Sequence, residues 1–347
     1  MVDITKSPDC KHLLVKELDR GKWEADIGEF NYSLFISPEW VSSMSFSQGS
    51  PVFLDFVDAD RVFGKLSGLF IKGGKALGNQ LFFYAYPAIR TNEESLLNAC
   101  MKTLLPYAKS RKVQRIIIGS YDQQNGIKCK VKGFIANERY EYVVDLQPES
   151  GKIAFSQNLK RNVKKAQKQG AILAESEDPK LVGRLSALLN STLDKRANKY
   201  GHKYNPFYLP YLNPGSVERL LANKAGRFYY SGMNDDGAMH CLLFNLERDG
   251  KAFNLLAGSD ELSYQNGLAS WLDYSIIEQY REKGQSYYNL GGGTGDAGSE
   301  GLERSKQSKG GVKKIVYGAT TNFLLYPHKL LNPLLNLGRF FKKLKLI

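Results

Sequence analysis

The chain has 347 residues, of which 42% are hydrophobic, 12% aromatic and 24% charged. That composition excludes a disordered chain, and the length exceeds one ordinary compact domain, so two lobes are expected. The formal net charge of +13 favours polyanionic partners such as nucleic acid, an acidic membrane surface or a phosphate-bearing substrate.

Along the first half, a helix is expected ahead of Phe35, and Ser37-Pro38-Glu39 reads as an N-cap followed by Pro in the first helical turn. PVFLDFV, VFGKLSGLFI and QLFFYAYPAI read as strands, the first two joined by a turn at Asp58-Ala59-Asp60. Residues 93–109 have helical spacing, with Leu96, Leu97, Met101, Leu104 and Leu105 on one side. VQRIIIGS is the apolar run of a buried parallel strand, and YEYVVDL closes the half as another strand.

The second half repeats this order. RFYYSGM and AMHCLLFNLE read as strands flanking a hairpin turn at Asn234-Asp235-Asp236-Gly237. KAFNLLAGS is the next strand, Trp271 to Lys283 a helix, and QSYYNLGG and VKKIVYG the last strands. The two halves carry the same order about 175 residues apart, which predicts a structural duplication. The expected fold class is α/β (α+β) with two tandem lobes, 1–150 and 151–320, a basic helical insertion near 156–205 and an amphipathic basic tail, 321–347. Within the insertion, Lys160 to Lys203 hold eleven Lys or Arg against four acidic residues. LKRNVKKAQKQG places Leu159, Val163 and Ala166 on one helix face and Arg161, Lys164, Lys165 and Lys168 elsewhere, with Gly170 at the C-terminal cap. It is either a solvated face or the approach for a phosphorylated substrate.

The sequence has no GxSxG elbow, HExxH or GxxxxGK[ST] motif, and His12, His202, His240 and His328 form no metal cluster. His240, in an apolar strand, reads first as a core histidine. Cys10, Cys100, Cys129 and Cys241 lack CxxC spacing, so neither a zinc site nor a disulfide framework is expected, and a cytoplasmic location follows from that and from an N-terminus without an apolar leader. A strand, then Asp260 to Ser270, then a helix offers a phosphate site: Gln265, Gly267 and Ser270 could let backbone N–H groups meet an anion at the helix N-terminus. A plain capped helix is the competing reading.

Several stretches together resemble the FemAB-like and CelD-like acyltransferases of the GNAT superfamily. They are Phe35-x-Ser37-Pro38-x-Trp40, Tyr140-Glu141-Tyr142-Val143-Val144-Asp145-Leu146, Leu159-Lys160-Arg161-Asn162-Val163-Lys164-Lys165-Ala166, and Gly284-x-x-x-Tyr288-Asn289-Leu290-Gly291-Gly292 followed by Gly301-Leu302-x-x-x-Lys306-x-x-x-Gly310. Their order covers roughly residues 30 to 320. The family usually has Asp at Asn289, and aromatic residues where this chain has Ser305 and Lys309. The resemblance implies two GNAT-like lobes and transfer of an acyl or aminoacyl group to an amine, without a covalent intermediate. Acyl-CoA is the expected donor, aminoacyl-tRNA the alternative, and no metal is expected. The acceptor would be an amino sugar or a lipid-linked envelope or polysaccharide precursor. Asp260 and Tyr264 are candidate catalytic residues. Arg161, Lys165, Arg196, Tyr204, Asn289 and Lys306 are candidate acceptor contacts, the 194–212 connection being long and Tyr-rich. A different class of reading is a non-catalytic binding scaffold in a polysaccharide-assembly complex. From Phe323 on, Leu and Phe mix with five Lys or Arg and no acid, the composition of a helix lying peripherally on an anionic membrane.

Overall fold

A computed structural model describes residues 12–74, 77–200, 205–233, 238–292 and 299–343. In chain order the elements are β1 (Leu14–Glu17), α1 (Arg20–Glu24), α2 (Pro38–Ser43), β2 (Gly49–Asp58), β3 (Arg61–Ile71), β4 (Asn79–Phe83), β5 (Ala88–Ile89), α3 (Glu94–Ser110), β6 (Val113–Ile118) and β7 (Phe134–Asp145). There follow α4 (Gln157–Lys168), β8 (Ala171–Ser176), α5 (Leu181–Tyr200), α6 (Pro214–Ala222), β9 (Gly226–Met233), β10 (Cys241–Arg248), β11 (Lys251–Ser259), α7 (Glu261–Asn266), α8 (Leu268–Glu282), β12 (Tyr287–Gly292), α9 (Ser299–Ser308), β13 (Val312–Thr321) and α10 (Asn332–Lys343). The expected hairpin turn at Asn234–Gly237 lies outside the described residues, as do Cys10 and His202.

The mixed α/β class is as expected, in two compact units. One comprises 1–139 with 315–347, and the other 140–314. The boundaries fall inside β7 and β13, each of which starts in one unit and ends in the other. The sequence expectation put the division at 150/151, where the first set of elements is complete. Strand pairing instead assigns the second half of β7 to the later unit and the second half of β13 to the earlier one.

In the first unit β2, β3 and β4 form an antiparallel meander, α3 crosses over, and β6 returns parallel to β4. The end of β13 then pairs antiparallel with β6. Ser37 caps α2 by accepting from the Trp40 N–H at 3.3 Å, as its Ser-Pro signature requires. The expected third strand breaks after Phe83, and Ala88–Ile89 pairs with β3 instead. Trp23, Phe56, Phe83, Leu97, Met101 and Ile116 fill the core at under 1% exposure. Lys65 is fully buried there, bonded to Asp55 at 2.9 Å and Asp26 at 2.7 Å.

The second unit repeats the plan. β9, β10 and β11 form an antiparallel meander, α8 crosses over, β12 runs parallel to β11, and β7 pairs antiparallel with β12. Leu268, Leu272, Ile276 and Ile277 bring α8 onto one sheet face, against Cys241, Leu243, Ala252 and Tyr288. Two elements here lack a distinct sequence signal. β8, the edge strand of AILAES, pairs with β9. Residues 261–266, expected as loop, form α7, because Asp260 caps it by accepting from the Ser263 N–H at 2.9 Å.

Candidate active site

The two units differ where β-strands run parallel. In the first unit β4 and β6 stay paired to Phe83↔Ile118, and the Gly119 N–H to Phe83 O and Tyr121 N–H to Tyr84 O bonds continue the closure. The rings of Phe35, Trp40, Tyr84 and Tyr121 pack beside it. In the second unit β11 and β12 pair at Lys251↔Tyr287, Ala252↔Tyr288 and Phe253↔Asn289, and the pairing stops there. β11 continues to Ser259 and β12 to Gly292.

Two irregularities account for the parting. Against β10, Asn254 and Leu256 are paired but Leu255 has no partner, so β11 carries a bulge at Leu255, two residues after Phe253. Against β7, β12 takes an extra residue between Asn289 and Gly292, where Gly291 has φ +71°. A bulge bends its strand, and a glycine in the left-handed region does so without strain. The result is a cleft in the sheet of the second unit whose apex lies at Phe253 and Asn289.

The apex is polar and buried. Asn289 is 2% exposed, donates to Glu141 Oε2 at 2.8 Å, and accepts from the Gly291 N–H at 2.9 Å. Lys306 of α9 donates to Gly292 O at 2.7 Å. The structure thus brings Asn289 and Lys306 together. On the same helix Glu303 accepts from the Tyr140 hydroxyl at 2.5 Å and from the Tyr142 hydroxyl at 2.9 Å. Burial, reinforced by Glu303, pushes the Tyr142 phenol up to about 12, so it stays a donor at neutral pH. Lys309 forms a 2.5 Å ion pair with the buried Asp273 of α8, so this departure from the family's aromatic position comes with its own partner.

The candidate donor residues lie on and after α7. Gly267 joins α7 to α8 with φ +74°, and a Cβ there would come within 2.6 Å of the Asn162 carbonyl oxygen on α4. Lys165 donates to Gln265 O at 2.6 Å, and Asn162 donates to Ser270 Oγ at 3.3 Å. Basic α4 therefore packs directly on the α7–α8 junction. Ser156 caps α4, and Gly170 follows it with φ +68°. Arg161, Lys164 and Lys168 are exposed, and Arg161 reaches Asn158 Oδ1 at 3.3 Å.

Asp260 stands at the end of β11. Its Oδ2 lies 2.9 Å from His240 Nδ1 and 3.7 Å from Arg184. Tyr264 is 63% exposed. From Phe253 to Asp260 is seven residues, about 23 Å of ideal strand, so this pair stands at the rim and Asn289 at the apex. Tyr204 and the side chain of Arg196 lie outside the described residues. Sequence reasoning did not single out Glu141, Glu303 or Asp273. Glu141 had a signal: in YEYVVDL it shares the strand face of Val143, opposite Tyr140 and Tyr142. Burial also pushes the Cys241 thiol up to about 12, which disfavours the thiolate near neutral pH. Among the described residues no three His, Cys, Asp or Glu are grouped to hold a metal ion.

Residues 154–298 match the model of the acetyltransferase (GNAT) domain. No curated protein matches the chain. Among solved structures, FemX is similar with a TM-score of 0.67 at 12% identity, over 88% of this chain and 96% of that one. L-PGS from Bacillus licheniformis is similar with a TM-score of 0.56 at 16% identity, over 88% and 93%. The C-terminal domain of a putative lysylphosphatidylglycerol synthetase from Agrobacterium fabrum is similar with a TM-score of 0.52 at 13% identity, over 87% and 91%. At these identities the likeness is one of fold. The matched domain lies inside the second unit and contains the parted strands. The second unit is thus the part of the chain that is similar to an acetyltransferase domain of the GNAT kind, and an acyltransferase is the activity that this match supports.

Proposed function

We propose that the enzyme moves an acyl or aminoacyl group from an activated donor to the amine of an amino sugar or of a lipid-linked envelope or polysaccharide precursor, on the cytoplasmic side. The parted β11–β12 pair carries this reading. Strand edges that leave each other expose backbone groups able to pair with the amides of an extended donor arm, and acyl-coenzyme A has such an arm. Aminoacyl-tRNA is the alternative donor, favoured by the +13 charge and by the outward cations of α4. The name of the putative lysylphosphatidylglycerol synthetase lends support to an aminoacyl group and a lipid acceptor.

Transfer of this kind needs position more than a covalent nucleophile. The amine nitrogen bonds to the acyl carbon, the bond to sulfur or to the ribose oxygen breaks, and one proton leaves the amine. Asp260, paired with His240, is the proposed proton acceptor, with Tyr264 as the exposed neighbour that meets substrate. Arg161 and Lys164 are proposed to hold phosphate, and Asn289 and Lys306, at the apex, to hold the end of the acceptor remote from the amine that Asp260 meets at the rim. The site at Gln265, Gly267 and Ser270 is proposed to hold the donor beside Lys165. The test is a transfer assay with radiolabelled acyl-coenzyme A and aminoacyl-tRNA, each against amino-sugar and aminolipid acceptors. Labelled amide from one donor supports the reading. Absence of product from all pairs, with donor bound, supports a non-catalytic binding scaffold instead.

A further inference from the structure

The C-terminal segment is attached to the first unit by its polar side. Asn332 accepts from the Phe323 N–H at 2.8 Å and donates to Phe323 O at 2.9 Å. Asn322 donates to Asn336 Oδ1 at 3.1 Å, and Arg339 donates to Asn322 Oδ1. Asn332, Leu335 and Arg339, three and four residues apart, are the partly buried positions of α10. The apolar side chains face the other way. Tyr326, Leu330, Leu331, Leu334 and Leu337 are each between 43% and 70% exposed. An amphipathic helix of a soluble domain ordinarily buries its leucines and shows its polar face to water. Here that arrangement is inverted over two turns.

A contiguous exposed row of large apolar side chains marks a docking surface. Its surroundings specify the partner. From Phe323 on the sequence has no acidic residue but five Lys or Arg, two of which, Lys329 and Arg339, lie in the segment itself. Among the described residues no helix is long and apolar enough to cross a membrane. Leucines on one side, the exposed Lys329 among them, three further lysines following in the sequence, a tyrosine at the border and too little length to span fit the interface of a bilayer with anionic head groups.

We propose that residues 326–339 form a fixed membrane-docking face that seats the first unit on an anionic bilayer. This inference does not rest on the transfer chemistry, and its test needs no substrate. The full chain and its Leu334→Ser/Leu337→Ser variant are sedimented with vesicles of phosphatidylcholine, with and without phosphatidylglycerol, and both proteins are also melted and sized without lipid. The expected result is binding of the full chain to the anionic vesicles, weaker binding to the neutral ones, and a loss of about tenfold in the variant at unchanged melting temperature. Deleting 326–347 should release the protein from vesicles while leaving it folded. Equal partitioning of full chain and variant overturns the proposal. So does a lipid-free dimer that the variant converts to monomer, since the face would then join two copies of this chain.

Discussion

Asp260 caps α7 through Oδ1 and faces His240 through Oδ2, so one carboxylate serves both local structure and the proposed proton transfer. Asparagine caps a helix about as well as aspartate but accepts no proton. Asp260→Asn is therefore expected to leave the melting temperature nearly unchanged and to lower kcat by about 10²–10⁴-fold. Unchanged kcat would reduce Asp260 to a cap. Gly267 shows the limit of reading a glycine from sequence. Its position before a helix suggested close approach of an anion, with Gly267→Val raising the donor KM. Its left-handed φ and the 2.6 Å approach to Asn162 O give the glycine a structural reason as well. Gly267→Val is expected to cost roughly 1–3 kcal/mol of stability, read as a lower melting temperature. A donor KM that rises in the folded fraction would add the binding role.

Helix α4 is where charge and packing separate along one element. Leu159, Val163 and Ala166 are buried, as their spacing required, while Lys165 is engaged with Gln265 O and Lys164 and Lys168 are exposed. Reversing Lys164 and Lys168 to Glu is thus expected to weaken a phosphate-bearing substrate, with the difference from the parent shrinking as salt rises. Stability should change little, since exposed charges contribute little. Kinetics and salt response equal to the parent's would make α4 a solvated face. Periodicity made α3, α4, α8 and most strands legible. It could not show α7, a helix of six residues fixed by one cap, nor α9, which follows a glycine run and carries Glu303, Lys306 and Lys309 on a mostly polar sequence. Glu303 was invisible for that reason, while Lys306 and Lys309 were marked by the resemblance rather than by periodicity. The bulges at Leu255 and Gly291 that open the cleft depend on pairing with β10 and β7, and pairing leaves no local signature.

At the scale of the molecule, the duplication was legible as a repeated order of elements. The assignment of β7 and β13 was not, because which distant strand a strand joins is decided by tertiary packing. Each unit also keeps a private buried network. In the first, Lys65 holds Asp55, whose carboxyl burial pushes above the ordinary range while Lys65 pulls it down. Lys65→Met is expected to cost about 3–5 kcal/mol, because a buried carboxylate is left without its partner. An acid whose folded pKa is raised favours folding below its unfolded value and loses that contribution as pH rises through the folded value. The deficit of Lys65→Met should therefore be smallest in acid and grow toward neutral pH, as denaturant melts at several pH values would show. In the second unit, Tyr288 accepts from Asn254 at 2.9 Å and donates to Asn245 Oδ1 at 3.1 Å just below the cleft, tying its apex to the core. The central claim is that this second unit binds an activated acyl donor between β11 and β12. Thermal unfolding of the full chain with acyl-coenzyme A, and separately with aminoacyl-tRNA, measures this most directly. A ligand that binds only the folded state at about a hundred times its Kd adds about 2.7 kcal/mol, so one of the two donors should raise the melting temperature by several degrees. No shift with either donor, at concentrations where both saturate known acyl transferases, would contradict it.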